Sequence, residues 1–119
     1  MYTSFFQGVN VMLDPDHAAK FIEVLYNSYT VRMHRHTQIG NVWFVLADVC
    51  KVLKITNPSY VAQKISKANK HKHKILTKQG KIKVMWVSYE GLTQLFEALP
   101  NTPELADFWL WSHTIANDY

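Results

Sequence analysis

Lysine dominates the middle of this sequence, and its placement indicates chemistry with a polyanion. Residues 51–89 contain ten lysines and no acidic residue, whereas residues 90–119 contain five acidic residues and no Lys or Arg. The formal net charge is only +4, so the uneven distribution, more than the total, indicates one basic face. An ammonium group binds phosphate without regard to base sequence. The pattern therefore predicts a phosphate-binding surface, with an acidic remainder directed away from the nucleic acid.

A helix predicted over residues 58–69 supplies side chains that could add sequence recognition. Ser and Gln can hydrogen-bond to base edges, and Lys can hold phosphates. An exposed, mobile loop over residues 70–74 and then a hairpin should extend the basic surface, although all of these segments also fit an ordinary solvated surface. The predicted DNA-binding residues are Ser59, Gln63, Lys64, Lys67, Lys70, Lys72, Lys74, Lys81 and Lys83.

Other kinds of site have little support in the sequence. Cys50 lies in a predicted helix with no base nearby, which indicates a buried structural thiol rather than a nucleophile. The pairs His34/His36 and His71/His73 could bind a transition metal on a strand, but a structural zinc site usually adds thiolates, and the chain has one Cys. Since no short segment joins a nucleophile to a base and an acid, we expect surface histidines, no metal, no cofactor and no enzymatic activity.

Composition limits the classes of protein that this chain can represent. Its 119 residues predict a single domain, and an apolar fraction of 48% is enough for a packed core. A single Cys excludes an internal disulfide framework and fits a reducing cytoplasm. No apolar run approaches the roughly 20 residues of a membrane helix, and the N-terminus lacks a signal-peptide pattern. We therefore expect a cytoplasmic protein without a membrane partner.

The elements that would position these residues alternate between strands and short helices. We expect strands over residues 4–13, 29–36 and 42–46, a turn over 37–41, and a hairpin joining 74–77 to 81–88. Helices are predicted over residues 14–26, 48–53 and 58–69, capped by Asp14, Asp48 and Asn57. The last two form a helix-turn-helix-like pair. Two C-terminal helices follow, capped by Ser88 and Thr102.

The C-terminal helix is apolar around most of its circumference, which favours a covering surface on more than one side. A domain of this size does not easily provide that cover, so a second copy of the chain is the natural partner. We therefore expect a homodimer. Its predicted interface residues are Phe108, Trp109, Trp111 and Ile115.

Three motifs in order resemble those of the Bro-N domain, which occurs in phage antirepressors and in the BRO proteins of large DNA viruses. Residues 43–49 (WFVLADV), followed by Asn57-Pro58-Ser59, are similar to the opening of that domain. Residues 87–92 (VSYEGL) and 103–111 (PELADFWLW) resemble its later motifs. The resemblance places the family core at residues 30–117 and makes residues 1–29 an N-terminal elaboration of a single domain, residues 1–119.

This resemblance implies an α+β fold: a small mixed sheet, the helix-turn-helix-like pair and two C-terminal helices. It also implies a phage- or virus-encoded, antirepressor-like transcription regulator that binds double-stranded DNA in the cytoplasm of a host cell. The alternative is an antagonist of a host or phage protein, such as a repressor, that does not itself bind DNA. A nuclease is a weaker alternative, because the lysine block contains no carboxylate cluster.

Overall fold

A sheet backed by helices forms the described part of the computed structural model, which comprises residues 21–35 and 42–118. The strands are β1 (Ile22–Tyr26), β2 (Tyr29–Arg35), β3 (Val42–Val45), β4 (Lys70–Thr77) and β5 (Gly80–Ser88). The helices are α1 (Leu46–Leu53), α2 (Pro58–Ala62), α3 (Tyr89–Ala98) and α4 (Pro103–Asp118), with a 3-10 turn at Lys67–Asn69. The predicted α+β class is confirmed. The predicted strand over residues 4–13, the start of the helix at Asp14, the turn over 37–41 and His36 lie outside the described residues.

The five described strands form one sheet in the order β1-β2-β3-β5-β4. All of these pairings are antiparallel, so the expected mixed character of the sheet is corrected. The helices pack on one face, where Val31, Met33, Phe44 and Val87 meet apolar residues of all four described helices. A second, smaller cluster on the other face centres on Trp86. In the part of the chain that the structure describes, no helix is both long and apolar enough to span a membrane.

The first strand corrects a helix prediction. Residues 22–26 belonged to the predicted helix over 14–26, but they form β1, which pairs with β2. The connection is a two-residue turn in which Asn27 has φ 54°, a left-handed conformation that Asn tolerates better than most residues. Val24 and Tyr26 then pack against the helix-side core. Pairing with β2 outweighed the helical spacing of Phe21, Ile22 and Leu25.

The junction between β3 and α1 uses Asp48 differently from the prediction. The helix begins at Leu46, directly after the strand, and the Asp48 side chain does not cap it. Its buried carboxylate instead accepts hydrogen bonds from the backbone N and side-chain Nε and Nη2 of Arg32, at 2.9, 2.8 and 2.9 Å. β2 continues past the end of β3, and this carboxylate supplies an acceptor for its N–H there.

The second helix is shorter than predicted. Asn57 caps it as expected, accepting from the Tyr60 backbone N at 3.2 Å, but the helix ends at Ala62 rather than at residue 69. Residues 63–66 form turns, and the 3-10 turn follows. Val61 and Ile65 are buried in the core, while Tyr60, predicted to be on the apolar side, is exposed. Tertiary contacts replace the helical bonds here, because the Ser66 backbone N donates to Gln94 Oε1 on α3 and the Ala62 carbonyl accepts from Lys70 Nζ.

The segment predicted as a mobile loop is a strand. Residues 70–74 form the first part of β4, which pairs with β5 along its full length. Turn residues 78–79 close this hairpin, and Gly80 has φ 103°, which glycine adopts without strain. The predicted hairpin is therefore confirmed and is longer than expected.

Both C-terminal helix caps are confirmed. Ser88 Oγ accepts from the Gly91 backbone N at 3.1 Å, and Thr102 Oγ1 accepts from the Leu105 backbone N at 3.2 Å. At the other end of α4, Arg35 Nη2 donates to the Ala116 carbonyl at 2.9 Å. A cation near the C-terminus of a helix also interacts favourably with its dipole. Strand β2 is thereby tied to both α1 and α4.

Candidate nucleic-acid interface

The β4–β5 hairpin forms a two-stranded ribbon whose faces differ sharply. Directly paired residues of antiparallel strands point to the same face. One face, here called the lysine face, carries Lys70, Lys72, Lys74 and Leu76 from β4 and Lys81, Lys83, Met85 and Val87 from β5. It is the helix side of the sheet, and at its inner end Met85 and Val87 pack against the helix-side core. The opposite face carries His71, His73, Ile75 and Thr77 with Ile82, Val84 and Trp86. The lysines therefore form a two-stranded array instead of a disordered tract.

Burial fixes which face of the ribbon meets solvent. Ile75 is fully buried and packs with Trp86 and Val45 on the face opposite the helices. Shifting the register by one residue would expose Ile75 and bury lysines, so the orientation is strongly specified. Lys72, Lys81 and Lys83 are consequently exposed, with Lys74 half-buried.

Lysine pairing across the ribbon concentrates positive charge. Lys74 lies directly opposite Lys83. Like charges at such positions repel and weaken the pairing of the strands. A bound polyanion would favour this concentration of positive charge. The arrangement is suited to phosphate binding.

The segment between α2 and β4 lies beside the helix-side core and adds further cations. Ser59, Gln63, Lys64 and Lys67 are all exposed, as predicted, although Gln63, Lys64 and Lys67 lie beyond the end of α2. Lys64 Nζ lies 5.1 Å from the centre of the Tyr60 ring. The predicted residues thus divide between this segment and the ribbon, and no long recognition helix presents them.

Lys70 has a structural task as well as a charge. Its Nζ donates to the Ala62 carbonyl at 2.5 Å, at the C-terminal end of α2. Its ammonium therefore joins the ribbon to the preceding helix and is less available to a phosphate than the exposed lysines. Of the predicted set, Lys70 is the residue best explained by structure alone.

A network of hydrogen bonds holds the 3-10 turn that precedes β4. Ser88 Oγ donates to Asn69 Oδ1 at 3.0 Å, and Asn69 Nδ2 donates to Ser66 Oγ at 3.0 Å. The Ser66 backbone N donates to Gln94 Oε1 at 2.9 Å. This links the turn that carries Lys67 to both β5 and α3. Ser88 was predicted only as a helix cap, because its second partner, Asn69, is brought to it by the fold.

The opposite face of the ribbon holds a cluster of aromatic and histidine side chains. The rings of Trp43 and His71 lie 4.8 Å apart, and those of His34 and Trp86 lie 6.2 Å apart. Burial, followed by the proximity of His73 and His34, lowers the pKa of His71 to about 4, so its ring is neutral at physiological pH. Among the described residues, no group of three or more His, Cys, Asp or Glu side chains could hold a metal ion.

The free cysteine does not have the properties of a catalytic nucleophile. Cys50 is buried in the helix-side core, as expected. Burial raises the pKa of its thiol to about 11, which keeps it protonated at physiological pH. A protonated, inaccessible thiol is a poor nucleophile.

The predicted dimer residues on α4 have unequal exposure. Phe108 is fully buried inside this chain, where its ring contacts those of Tyr26, Phe96 and Trp111. Trp111 and Ile115 are half-buried against the same core. Trp109 and the neighbouring Leu110 are exposed by 39% and 59%. A partner could therefore reach Trp109 and Leu110 most directly, whereas Phe108 serves the fold of the monomer.

The first part of β4, residues 70–74, was predicted as a loop although its sequence carries the signal of a strand. Residues 70–75 alternate strictly between Lys and His and end at Ile75, which is the period of a strand. High polarity suggested a loop and obscured this alternation. Leu76, which is 60% exposed on the lysine face, was not identified because its face depends on the pairing of β4 with β5.

Comparison with known proteins gives one finding. The model of the BRO family N-terminal domain, Bro-N, matches residues 30–112, which is most of the chain and extends from β2 into α4. Neither the comparison with curated proteins nor that with solved structures returned a match.

Proposed function

This chain belongs to the Bro-N family, the N-terminal domain of the BRO proteins, and from that premise we propose that it binds duplex DNA through its lysine face. Bro-N domains are associated with phage and viral BRO proteins and with DNA-binding regulation, and they are not an enzyme family. In this proposal the protein is an antirepressor-like transcription regulator encoded by a phage or virus and acting in a host cell. Its contacts come from the exposed lysines of the ribbon together with Ser59, Gln63, Lys64 and Lys67.

The observation that carries the proposal is the fixed, acid-free array of lysines on one face of the ribbon. Residues 70–88 contain no Asp or Glu, and Lys74 faces Lys83 across the two strands. The acidic residues of α3 and α4, including Glu97, Glu104 and Asp107, would stay outside the contact with DNA. This separation of charge orients the molecule on the phosphate backbone.

Salt dependence tests the proposal. Each lysine that neutralises a phosphate releases condensed counterions, which contributes about −0.9 to the slope of log K against log salt on duplex DNA. We expect Lys72→Ala with Lys83→Ala to weaken binding to all duplexes and to flatten that slope by roughly two. Fluorescence anisotropy with a labelled random duplex over a salt series provides the measurement.

A matched control neutralises acids instead of lysines. Glu104→Gln with Asp107→Asn should leave the DNA affinity undiminished. If the wild-type protein shows no salt-sensitive DNA binding near physiological ionic strength, the proposal fails, and the lysine face must serve an acidic protein partner. In that case the alternative, an antagonist of a repressor or host factor, becomes the better account.

We also propose that the protein acts as a homodimer through the exposed part of α4. Trp109 and Leu110, consecutive residues of that helix, both expose apolar surface. A symmetric dimer would bury this surface and would present two ribbons to one duplex.

A further inference from the structure

The helix expected to contact base pairs is too short for that role. α2 has five residues, and Gln63, Lys64 and Lys67 lie beyond its end. The ribbon, by contrast, is regular and fixed in orientation. Its lysine face is exposed in the half nearer the turn, at Lys72, Leu76, Lys81 and Lys83, whereas Met85 and Val87 at the other end pack against the helix-side core. If the protein binds DNA as proposed above, the ribbon is the element best shaped to enter a groove.

We infer that the β4–β5 ribbon inserts into the major groove with its lysine face towards the bases, and that Leu76 contacts a thymine methyl group there. This inference rests on the proposed DNA binding and specifies its geometry. The major groove, about 12 Å wide, admits a two-stranded ribbon. The part of β4 nearer the turn, residues 72–76, spans roughly 17 Å at about 3.4 Å per residue, enough to follow about five base pairs.

Leu76 is the feature that distinguishes groove insertion from contact with phosphates alone. It is 60% exposed, lies on the lysine face and is paired directly with Lys81. An apolar side chain at this position would contribute nothing to a contact with phosphates alone. The thymine C5-methyl group is an apolar feature of the major groove, and the flanking lysines can donate to guanine O6 and N7. The mixture of an aliphatic side chain with ammonium groups matches that surface.

Removing the methyl group from the DNA tests the inference directly. Uracil pairs as thymine does but lacks the C5-methyl group, and the minor groove is unchanged. Two duplexes of the same mixed sequence are compared, one containing thymine and one with uracil at every thymine position. We expect the wild-type protein to bind the thymine duplex more tightly, by about fourfold for each methyl group that Leu76 touches.

Two variants provide a matched pair, because each shortens one aliphatic side chain to alanine and the two positions lie on opposite faces of the ribbon. Leu76→Ala should bind both duplexes with equal affinity. Ile82→Ala removes a side chain that is 40% exposed on the other face of the same ribbon, so it should keep the preference for thymine. Circular dichroism and thermal melts confirm that both variants are folded before the affinities are compared.

The outcomes distinguish failure of the groove insertion from failure of the DNA binding on which it rests. Salt-sensitive binding with no difference between thymine and uracil would overturn the groove insertion and leave the proposed DNA binding intact. The inference is also overturned if Leu76→Ala keeps the thymine preference or if Ile82→Ala loses it. Absence of any DNA binding would overturn both proposals.

Discussion

A single carboxylate connects β2 to the first turn of α1. Asp48 is 4% exposed and accepts three hydrogen bonds from Arg32, whose side chain is 19% exposed. Asp48→Ala would leave the guanidinium and the Arg32 N–H without their acceptor. We expect a loss of about 3 kcal/mol in the free energy of unfolding, near the lower end for breaking a buried pair. Urea denaturation measures it.

The control for Asp48 is an exposed acid elsewhere. Glu97→Ala removes a carboxylate from the surface of α3 and should change stability by less than about 0.5 kcal/mol. Equal effects of the two substitutions would mean that the pair with Arg32 adds nothing beyond a surface charge.

His71 makes stability depend on pH. The unfolded chain takes up its proton near the ordinary pKa of 6.5, whereas the folded protein does so only near a pKa of about 4. Protons therefore favour the unfolded state, and stability should fall as pH drops from 6.5 towards 4, at up to about 1.4 kcal/mol per pH unit. His71→Phe should flatten this dependence, as measured by urea midpoints at pH 7, 6, 5 and 4.5. If stability falls equally with pH in the wild-type protein and in His71→Phe, the pH dependence does not come from His71.

At the scale of elements, the alternation along β4 predicts opposite results for neighbouring residues. Ile75 is fully buried, and Leu76 is 60% exposed. Ile75→Ala should cost about 2–5 kcal/mol in the free energy of unfolding, the usual range for an aliphatic deletion in a core. Leu76→Ala should cost less than about 0.5 kcal/mol. Similar small losses for both substitutions would indicate a loop, not a strand.

The contact between α3 and the 3-10 turn depends on a missing side chain. A Cβ at Gly91 would lie 2.6 Å from Val87 Cγ2 and 2.9 Å from the Asn69 carbonyl oxygen. We expect Gly91→Ala to destabilise the fold by about 1–3 kcal/mol, although Ala is the better helix former by about 1 kcal/mol. A rise in melting temperature for Gly91→Ala would contradict this expectation. It would show that helix propensity prevails and that α3 can move away from the turn.

Local patterns predicted some of these elements and not others, for physical reasons. The caps at Asn57, Ser88 and Thr102 depend on neighbouring residues, so sequence alone located them. β1 and β4 depend on pairing with the next strand along the chain, which overrode a helical spacing in one case and high polarity in the other. Asp48 was predicted as a cap because its partner, Arg32, lies 16 residues away in the chain and only the fold brings them together.

The sequence predicted which lysines belong to the candidate site but not how they are arranged in space. The lysines are properties of the sequence and were identified directly. Their alignment on one face of a two-stranded ribbon depends on the register between β4 and β5, which the composition does not determine. For the same reason, Leu76 became a candidate contact only after the strands were paired.

At the scale of the whole molecule, the proposed dimer links assembly to DNA binding. Trp109 and Leu110 are exposed on α4, on a different element from the lysine face. We expect sedimentation velocity at tens of micromolar to give a dimer, and Leu110→Glu to give a monomer, because a carboxylate in an apolar interface loses its hydration. Leu25→Glu makes the same change at another exposed leucine, on β1, and should remain dimeric.

Dissociation should also alter the response to salt. A dimer that places two ribbons on one duplex neutralises about twice as many phosphates as a monomer. The slope of log K against log salt for Leu110→Glu should therefore be roughly half that of the wild-type protein, since each phosphate contact contributes about −0.9. An unchanged slope in a monomeric variant would mean that one ribbon makes all the contacts, and a monomeric wild-type protein would refute the dimer. In that second case, Trp109 and Leu110 would be available to a different protein partner.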